Sequence, residues 1–475
     1  MDWPEFSRWG ARISEWARVY HETIRSRPVR SQVASGDILK ALPESPPKLG
    51  TDMEAIFTDF EEIVMPGITH WQHPRFFAYF PANATPPSML AEFLTSIIAP
   101  QCMLWQTSPA ATEMETRMID WLRQSVGLAD DFSGVIQDTA STATLAAVLT
   151  MRERALNWQG NEEGLSGKRP LRIYCSCEVH TSVDRAIWIA GIGQENLIRV
   201  PTHGSTRAMD PNALDANIAE DIAAGLTPAG IVACIGGTGT GACDNITEVC
   251  DIAEKYGLYV HVDAAWAGAA MICSEFRGLW NDVDRANSVV FNPHKWLGVQ
   301  FDCSAHFVKE PDDLVRTLAI NPEYLRTSDR DGVINYSEWS ISLGRRFRAL
   351  KIWFVLRVYG LDYLKTTIRN HVEWSQQLCE MIRAEPNFEI ITEPVLSLFT
   401  FRFVLQNSSD LDSLNQSFVD RINDQGEIYI TQTRVNGDLV IRFQAAQFEA
   451  TRDDVLYALN VLREMSRSMI TSEPN

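Results

Sequence analysis

The sequence has a shortage of positive charge and no long apolar run, and both features narrow the classes of protein it can belong to. It carries 42 lysines and arginines against 61 aspartates and glutamates, a formal net charge of −19. Such a chain repels phosphate backbones and anionic lipid surfaces, so neither nucleic acid nor membrane is an expected partner. No apolar run approaches the roughly 18 residues of a membrane span, and the beginning, MDWPEFSRWG, lacks the apolar core of a secretion signal. We therefore expect a cytoplasmic protein with a small-molecule substrate.

Cysteine pairs and metal-ligand clusters are also scarce. The nine cysteines are scattered, and the nearest pair is Cys175 and Cys177. We expect reduced core cysteines rather than disulfides or zinc ligands. His70 and His73 stand close together, but no carboxylate or thiolate at metal-ligand spacing accompanies them, so no metal site is predicted.

Three regions of the chain differ in pattern. Residues 1–83 contain a helical stripe of apolar residues, a proline-rich connector and a second helical stretch, which together predict an arm. Residues 84–365 alternate short β-rich runs with helical stretches, which predicts a mainly parallel sheet with helices on both faces. Residues 366–475 follow the order helix, two strands, helix, two strands, helix, which is typical of a small α+β domain. The stripe consists of Phe6, Trp9, Ile13, Trp16 and Tyr20.

Polar residues follow the predicted strands of the large sheet, where functional groups of α/β proteins gather. After GVIQ, small and hydroxylated residues from Thr139 to Ser141 open a helix, so they form either a plain N-cap or a site for an anion. His180 follows RIYCSCEV and is either a packed core histidine or a site residue. Thr238 follows GIVACIGG in a TGTG stretch that lacks the P-loop lysine and the full GxGxxG spacing, so it is a weak nucleotide signal.

Two charged residues at strand ends point to one ligand. Asp263 ends the alternating strand LYVHV, where a buried carboxylate requires a cation. Lys295 follows SVVFN with apolar residues on both sides, and burial would lower the pKa of a lysine and make it a usable nucleophile. Pyridoxal phosphate needs a lysine for its Schiff base, an acid against its ring nitrogen, a nest for its phosphate and a flat group over its ring. A carboxylate about 4 Å from the ring cation contributes roughly 4 kcal/mol at an effective dielectric constant of about 20.

Several long motifs resemble those of the pyridoxal-phosphate-dependent aromatic-L-amino-acid decarboxylases, in the same order and at similar spacing. They are HPRFFAYFPAN, SPAATEMETRMIDWL, GVIQDTAS, SCEVHTSVDRA, LYVHVDAAWAG, FNPHKWLGVQFDCS and LGRRFRALKIWFVLR. The resemblance implies the α/β aspartate-aminotransferase fold (fold type I) with an N-terminal helical arm and a small C-terminal domain. It also implies a homodimer with intertwined arms and active sites at the subunit interface.

The resemblance assigns roles residue by residue. Lys295 corresponds to the Schiff-base lysine, Asp263 to the partner of the ring nitrogen and His180 to the residue stacked on the cofactor. Tyr324 corresponds to the tyrosine of a mobile loop that returns a proton to the α-carbon. The remaining expected cofactor contacts are Thr139, Ala140, Ser141, Thr238, Ala265, Asn292 and His294. The expected substrate-binding residues are Trp71, Tyr79, Phe80, Pro81, Ala82, Gln101, Met103 and Gly344.

The implied reaction is decarboxylation of an aromatic L-amino acid (tryptophan, phenylalanine, tyrosine or dihydroxyphenylalanine) to the arylalkylamine and carbon dioxide. Aldehyde-forming relatives often have phenylalanine at the position of Tyr324 or lack the stacking histidine, so the presence of both residues favours the amine. Gly344 matches plant relatives that take indoles, which favours tolerance of tryptophan. An aldehyde synthase, a decarboxylase of acidic or diamino substrates and a non-catalytic dimeric relative are the alternatives.

Overall fold

The computed structural model describes residues 1–320, 333–406 and 408–472. The chain divides into two compact units. The larger unit comprises residues 82–373 and 392–399, and the smaller comprises residues 1–81, 374–391 and 400 onwards. The predicted N-terminal arm thus belongs to the same unit as most of the C-terminal region, and its role in dimerisation stays a prediction.

A seven-stranded sheet forms the centre of the larger unit. Its strands are β1 (Ser133–Gln137), β2 (Leu171–Ser176), β3 (Leu197–Val200), β6 (Thr227–Cys234), β7 (Tyr259–Asp263), β8 (Ser288–Phe291) and β9 (Ser304–Val308), and a separate two-stranded ribbon consists of β4 (Thr202–His203) and β5 (Ala208–Met209). The strand order is β1-β9-β8-β7-β6-β2-β3. Strands β3, β2, β6, β7 and β8 run parallel, and β9 is antiparallel to both of its neighbours. The predicted mainly parallel α/β fold is confirmed.

Helices cover the sheet, which explains why the strands are apolar on both faces. Every residue of β7 and β8 is buried, as expected for strands in the middle of a parallel sheet. The helices of this unit are α4 (Pro86–Ile98), α5 (Pro109–Val126), α6 (Ala140–Ala155), α7 (Gly160–Glu163), α8 (Ser182–Ile189), α9 (Pro211–Ala223), α10 (Ile246–Tyr256), α11 (Pro293–Trp296) and α12 (Pro311–Leu318). Helix α6 presents alanines such as Ala143 and Ala147 to the sheet, and both are fully buried.

The smaller unit contains the two terminal helices and most of an antiparallel sheet, of which residues 392–399 belong to the larger unit. Its helices are α1 (Trp3–Thr23), α2 (Asp37–Ala41), α3 (Met53–Asp59), α14 (Leu411–Gln425) and α15 (Arg452–Ser472). A four-stranded sheet has the order β10-β11-β13-β12, with β10 (Phe388–Val395), β11 (Leu398–Phe403), β12 (Thr431–Val435) and β13 (Asp438–Gln444). A long helix, α13 (Arg348–Arg383), precedes it and is interrupted at Gly360, where φ is 70°.

The sequence patterns place most elements correctly but miss some. The apolar stripe on α1 is confirmed: Trp9 and Trp16 contact Phe57, with ring centroids 5.5 and 6.4 Å apart. The strand expected at GEIYIT was wrong in its position, because the strand in this region is β12, TQTRV. Strands β3 and β9 were not predicted, since LIRV has only four residues and His306 interrupts the apolar run of β9.

Two further findings concern the cysteines and membrane-spanning helices. Cys175 is buried in β2, Cys177 is exposed just beyond the end of that strand, and all nine cysteines are free. Among the described residues, no helix is both long enough and apolar enough to cross a membrane.

Candidate active site

A cavity of about 170 Å³ lies at the carboxyl ends of the parallel strands in the larger unit. It is lined by Thr139, Ala140, Ser141, His180, Ser182, Cys234, Gly236, Gly237, Thr238, Asp263, Ala265, Trp266, Asn292 and Lys295. Nine of the ten expected cofactor contacts are in this set, and His294 is the exception. Residues that are far apart in sequence meet here because parallel strands all present their carboxyl ends to the same edge of the sheet.

The first turn of α6 forms one wall of the cavity. Thr139 is the N-cap, and its hydroxyl accepts a hydrogen bond from the Thr142 N–H at 3.4 Å. The Thr139 N–H donates to the Asp138 carboxylate at 2.6 Å, which turns the chain from β1 into the helix. Ala140 and Ser141 are small, so an anion can approach the free N–H groups of the first turn. This wall suits a phosphate.

His180 stands on the loop after β2 with a defined tautomer. The Ser182 N–H donates to its Nδ1 at 3.1 Å, and the Ser182 hydroxyl lies 2.9 Å from the same atom. A nitrogen that accepts from an N–H carries no proton, so the neutral ring carries its proton on Nε2. Burial lowers the pKa of His180, and the charge of Lys295 adds to this while Asp263 opposes it. The ring is therefore a neutral, flat surface at the cavity.

Asp263 ends β7 with its carboxylate in the cavity wall and only 6% of the residue exposed. Burial raises the pKa of this carboxyl, while the Lys295 ammonium, the Ala265 N–H and His180 act in the opposite direction. The Ala265 N–H donates to Asp263 Oδ1 at 3.0 Å. A buried carboxylate with one such hydrogen bond is strongly favoured in its ionised form by a cation placed against it.

Lys295 belongs to α11, the four-residue helix that follows β8, and is half-buried. Its N–H donates to the carbonyl of Asn292 at 3.0 Å, and the Asn83 side-chain amide donates to its carbonyl at 2.7 Å. The next residue, Trp296, is fully buried and donates through Nε1 to His371 Nδ1 at 3.0 Å. The backbone of the lysine is fixed on both sides of the residue that would act as nucleophile.

His294 lies on the same short helix but faces away from the cavity lining. Its Nδ1 accepts a hydrogen bond from the Cys303 N–H at 2.9 Å, and its ring contacts Phe301 with centroids 4.8 Å apart. Burial lowers the pKa of His294 to about 3. These contacts attach the lysine turn to the start of β9, so the structure gives His294 a packing role and does not bring it to the cavity.

Five cavity-lining residues were not anticipated from the sequence: Ser182, Cys234, Gly236, Gly237 and Trp266. Trp266 Nε1 donates to the carbonyl of Gly236 at 2.6 Å, and Gly236 has a φ of 84° with no space for a Cβ beside Ala267 and Trp266. The paired glycines before TGTG were the available signal for this close approach. Ser182 carried none, because a serine at a helix start is ordinary.

The expected substrate residues fall into separate groups. Trp71, Tyr79, Phe80 and Pro81 belong to the smaller unit, in which Trp71 stacks on Phe76 and Tyr79 with centroids 4.6 and 5.7 Å apart. Ala82, Gln101, Met103 and Gly344 belong to the larger unit but are outside the cavity lining. Tyr324 lies outside the described residues.

Gln101 and Gly344 lie next to each other. The Arg345 N–H donates to Gln101 Oε1 at 2.8 Å, and the Cys102 N–H donates to the Arg345 carbonyl at 3.0 Å. A Cβ at Gly344 would lie 3.4 Å from Gln101 Nε2. The side chain of Gln101 therefore covers the glycine, and the two positions must be considered together.

Comparisons with known proteins agree with this geometry. Residues 36–404 match the pyridoxal-dependent decarboxylase conserved domain. The chain is 39% identical to the aromatic-L-amino-acid decarboxylase of Mus musculus, with 100% of both chains covered. It is 36% identical to the phenylacetaldehyde synthase of Arabidopsis thaliana, with 93% of this chain and 92% of that protein covered. The crystal structure of Oryza sativa TDC with PLP and tryptamine superposes with a TM-score of 0.95 at 30% identity, covering 99% of both chains.

The chain therefore belongs to the pyridoxal-dependent decarboxylase family. Within that family it is a group II decarboxylase, and its full-length relatives at this level of identity include aromatic-L-amino-acid and tryptophan decarboxylases. Its cofactor is pyridoxal phosphate.

The side chains around the cavity fit this cofactor. The N-terminus of α6 suits the phosphate, the buried Asp263 suits a protonated ring nitrogen, His180 offers a flat neutral ring and Lys295 an amine. Among the described residues that line the cavity, Lys295 is the one lysine and Asp263 the one aspartate. The cofactor therefore has one candidate amine and one candidate carboxylate partner for its ring nitrogen.

Proposed function

We propose that the protein decarboxylates an aromatic L-amino acid to the corresponding arylalkylamine and carbon dioxide. The observation that carries the proposal is the convergence of Lys295, Asp263, His180 and the α6 N-terminus on one cavity. The aromatic substrate class is inferred from the relatives, which include the mouse aromatic-L-amino-acid decarboxylase at 39% identity. The absence of a membrane-spanning helix among the described residues fits the cytoplasmic location that we propose.

Each residue has one task in the proposed reaction. Pyridoxal phosphate, when bound, accepts the electron pair released as a bond to the substrate α-carbon breaks. Asp263 would hold a proton at the ring nitrogen, Lys295 would supply the amine that binds the cofactor, and His180 would support the ring face. We assign the return of a proton to the α-carbon to Tyr324 by resemblance.

Product analysis tests the proposal. The purified protein with pyridoxal phosphate is incubated with tryptophan, phenylalanine, tyrosine and dihydroxyphenylalanine, and amine, aldehyde, hydrogen peroxide and carbon dioxide are measured together. We expect amine and carbon dioxide in equal amounts. Turnover of glutamate or diaminobutyrate without turnover of any aromatic amino acid would contradict the substrate class.

Aldehyde synthesis is the second candidate function. It is supported by the 36% identity to the Arabidopsis thaliana phenylacetaldehyde synthase. That reaction consumes oxygen and releases ammonia and peroxide, so one product assay separates the two. The presence of both His180 and Tyr324 in this sequence supports the amine.

Among the aromatic amino acids, we propose tryptophan as a substrate. Gly344 has no side chain, so nothing at this position crowds the Gln101 amide, whose Nε2 would lie 3.4 Å from an added Cβ. Gln101 Oε1 already accepts the Arg345 N–H, so Nε2 remains as the donor facing this space. Because Gln101 and Gly344 are outside the cavity lining, they would reach a substrate only as part of a second copy's site.

We therefore also propose a homodimer with shared active sites. Helix α4 exposes five apolar side chains at spacings of one, three and four: Leu90, Phe93, Leu94, Ile97 and Ile98, between 40% and 62% exposed. A continuous apolar stripe of this kind is typical of a helix that packs against another protein surface. A second copy of this chain is the occupant that also explains the position of Gln101, three residues after α4 ends. Sedimentation of the wild type and of Leu94→Glu tests this: we expect a dimer and a monomer, and a monomeric wild type would refute it.

A further inference from the structure

The turn that carries Lys295 is held by hydrogen bonds from a remote segment of the same unit. The Asn83 amide donates to the Lys295 carbonyl at 2.7 Å. The Thr85 hydroxyl and the Thr85 N–H both donate to the Gly298 carbonyl, at 2.8 and 3.0 Å. The Gln300 N–H donates to the Ser88 hydroxyl oxygen at 2.6 Å. Residues 83–88 thus bind three successive points of the chain between residues 295 and 300.

These contacts are shielded from water. Asn83 is 1% exposed, Thr85 2% and Ser88 0%. Helix α11 has only four residues, too few to be stable alone, and its last carbonyls lack partners within the helix. The side chains of Asn83 and Thr85 donate to the carbonyls of Lys295 and Gly298, and removing a donor from a buried hydrogen bond costs stability.

We propose that residues 83–88 are a positioning clasp, which fixes the backbone of Lys295 so that only its side chain moves during the reaction. The proposal rests on the proposed role of Lys295 as the cofactor-binding lysine. Asn83 is the central residue because it contacts the carbonyl of Lys295 itself. It acts through Lys295 and is therefore a positioning residue.

The neighbours of Lys295 explain why the clasp acts locally. Trp296 is held by His371, and His294 is held by the Cys303 N–H, so both flanking residues keep their anchors without Asn83. Loss of the Asn83 hydrogen bond therefore frees the peptide after Lys295 while the rest of the turn stays in place. A small displacement of an attacking amine is enough to slow a reaction that depends on alignment.

The substitution Asn83→Asp tests the clasp, because it keeps the size of the side chain and removes the amide donor. The matched control is Asn423→Asp, which removes another buried side-chain amide that donates to a backbone carbonyl, that of Ile430 at 3.0 Å. Hydrogen–deuterium exchange of peptides covering residues 293–303 is compared in the wild type and both variants, without and with pyridoxal phosphate. We expect exchange about tenfold faster in Asn83→Asp, which corresponds to about 1.4 kcal/mol, and unchanged exchange in Asn423→Asp.

A spectroscopic readout separates positioning from general destabilisation. The visible absorbance of the protein loaded with pyridoxal phosphate is titrated with pH, since it reports the protonation of the lysine–cofactor linkage. We expect the midpoint to move by about half a pH unit in Asn83→Asp and to stay at the wild-type value in Asn423→Asp.

A second pair of variants covers the case in which Asn83→Asp does not fold. Thr85→Val removes the hydroxyl bonded to Gly298, and its control Thr112→Val removes a buried hydroxyl in α5 that donates to the Ser108 carbonyl at 3.1 Å. Faster exchange at residues 293–303 in Thr85→Val alone supports the clasp. Wild-type exchange and a wild-type midpoint in whichever clasp variant folds would overturn it.

These outcomes are independent of the proposed reaction. If the wild type converts no aromatic amino acid, the proposed function fails while the exchange comparison on the cofactor-free protein still tests the clasp. If the reaction proceeds but the variants exchange like the wild type, only the clasp fails.

Discussion

His306 lies in the middle of β9, fully buried, and among the described residues neither of its ring nitrogens has a hydrogen-bond partner. Its strand neighbours are Val135 on β1 and Val290 on β8, and the nearest ring is that of His261 at 5.9 Å. Burial lowers the pKa of His306 from 6.5 to about 4. Because β1 leads into α6 and β8 into Lys295, protonation here would destabilise the sheet that carries the candidate site.

The sign and size of the effect follow from linkage. A histidine whose folded-state pKa is lowered contributes stability above its unfolded pKa of about 6.5, and this is lost as the pH falls toward the folded value. Between pH 7.5 and pH 5 the loss attributable to this one residue is about 2 kcal/mol. The substitution His306→Leu removes the titration and leaves no unpaired polar atom, so at pH 7.5 we expect a stability equal to or greater than that of the wild type.

Urea unfolding at pH 7.5 and pH 5 measures both quantities. We expect the decrease in free energy of unfolding between the two pH values to be about 2 kcal/mol smaller in His306→Leu than in the wild type. The control Phe307→Leu, on the same strand and equally buried, removes no titratable group and should lower stability by about 1 kcal/mol at both pH values. Burial and, to a smaller extent, the neighbouring His306 lower the pKa of His261, so His306→Leu also removes this second contribution, whereas Phe307→Leu keeps it. Equal decreases in the wild type and His306→Leu would refute the reasoning.

Three further predictions concern the reaction. Asp263→Asn should reduce kcat about a thousandfold, since about 4 kcal/mol of interaction with the ring cation is lost, while equilibrium dialysis still detects bound pyridoxal phosphate; kcat within tenfold of the wild type would contradict this role. Tyr324→Phe should raise the ratio of aldehyde to amine measured by mass spectrometry, and an unchanged ratio would remove Tyr324 from the proton-return step. Gly344→Ser should lower kcat/KM for tryptophan relative to tyrosine by about tenfold. The added hydroxyl would occupy space beside Gln101 and could hydrogen-bond to a phenol. An unchanged preference would exclude Gln101 and Gly344 from substrate contact.

Part of the candidate site could be predicted from the sequence, because it depends on which residues follow each strand along the chain. In a parallel α/β sheet the carboxyl ends of the strands lie at the same edge. The sequence therefore predicts that Asp263 at the end of β7 and Lys295 after β8 lie close together. The same reasoning reached Thr139 before α6 and His180 after β2. The tautomer of His180 could not be obtained in this way, because it depends on the N–H of Ser182 in three dimensions.

Packing decides side-chain direction and strand register, and the sequence pattern leaves both open; the cofactor contact expected of His294 stays a prediction. His294 adjoins Lys295 in sequence but is directed toward Cys303, since a four-residue helix presents consecutive side chains to different surroundings. The strand placed at GEIYIT begins later, at Thr431, because pairing with β13 sets the register and an apolar run alone does not.

The sequence by itself determined the alternation of strands and helices and the residues at the end of each strand, and hence the cofactor chemistry. These features depend on local pattern and on the right-handed connection of parallel strands in α/β folds. Only the tertiary structure decided which distant segments support them. Asn83 stands 212 residues from Lys295, and nothing in the motif HPRFFAYFPAN, which it ends, indicates that its amide holds the lysine carbonyl. Gln101 and Gly344 meet through the backbone of Arg345. Such contacts form when whole elements pack, so no local pattern encodes them.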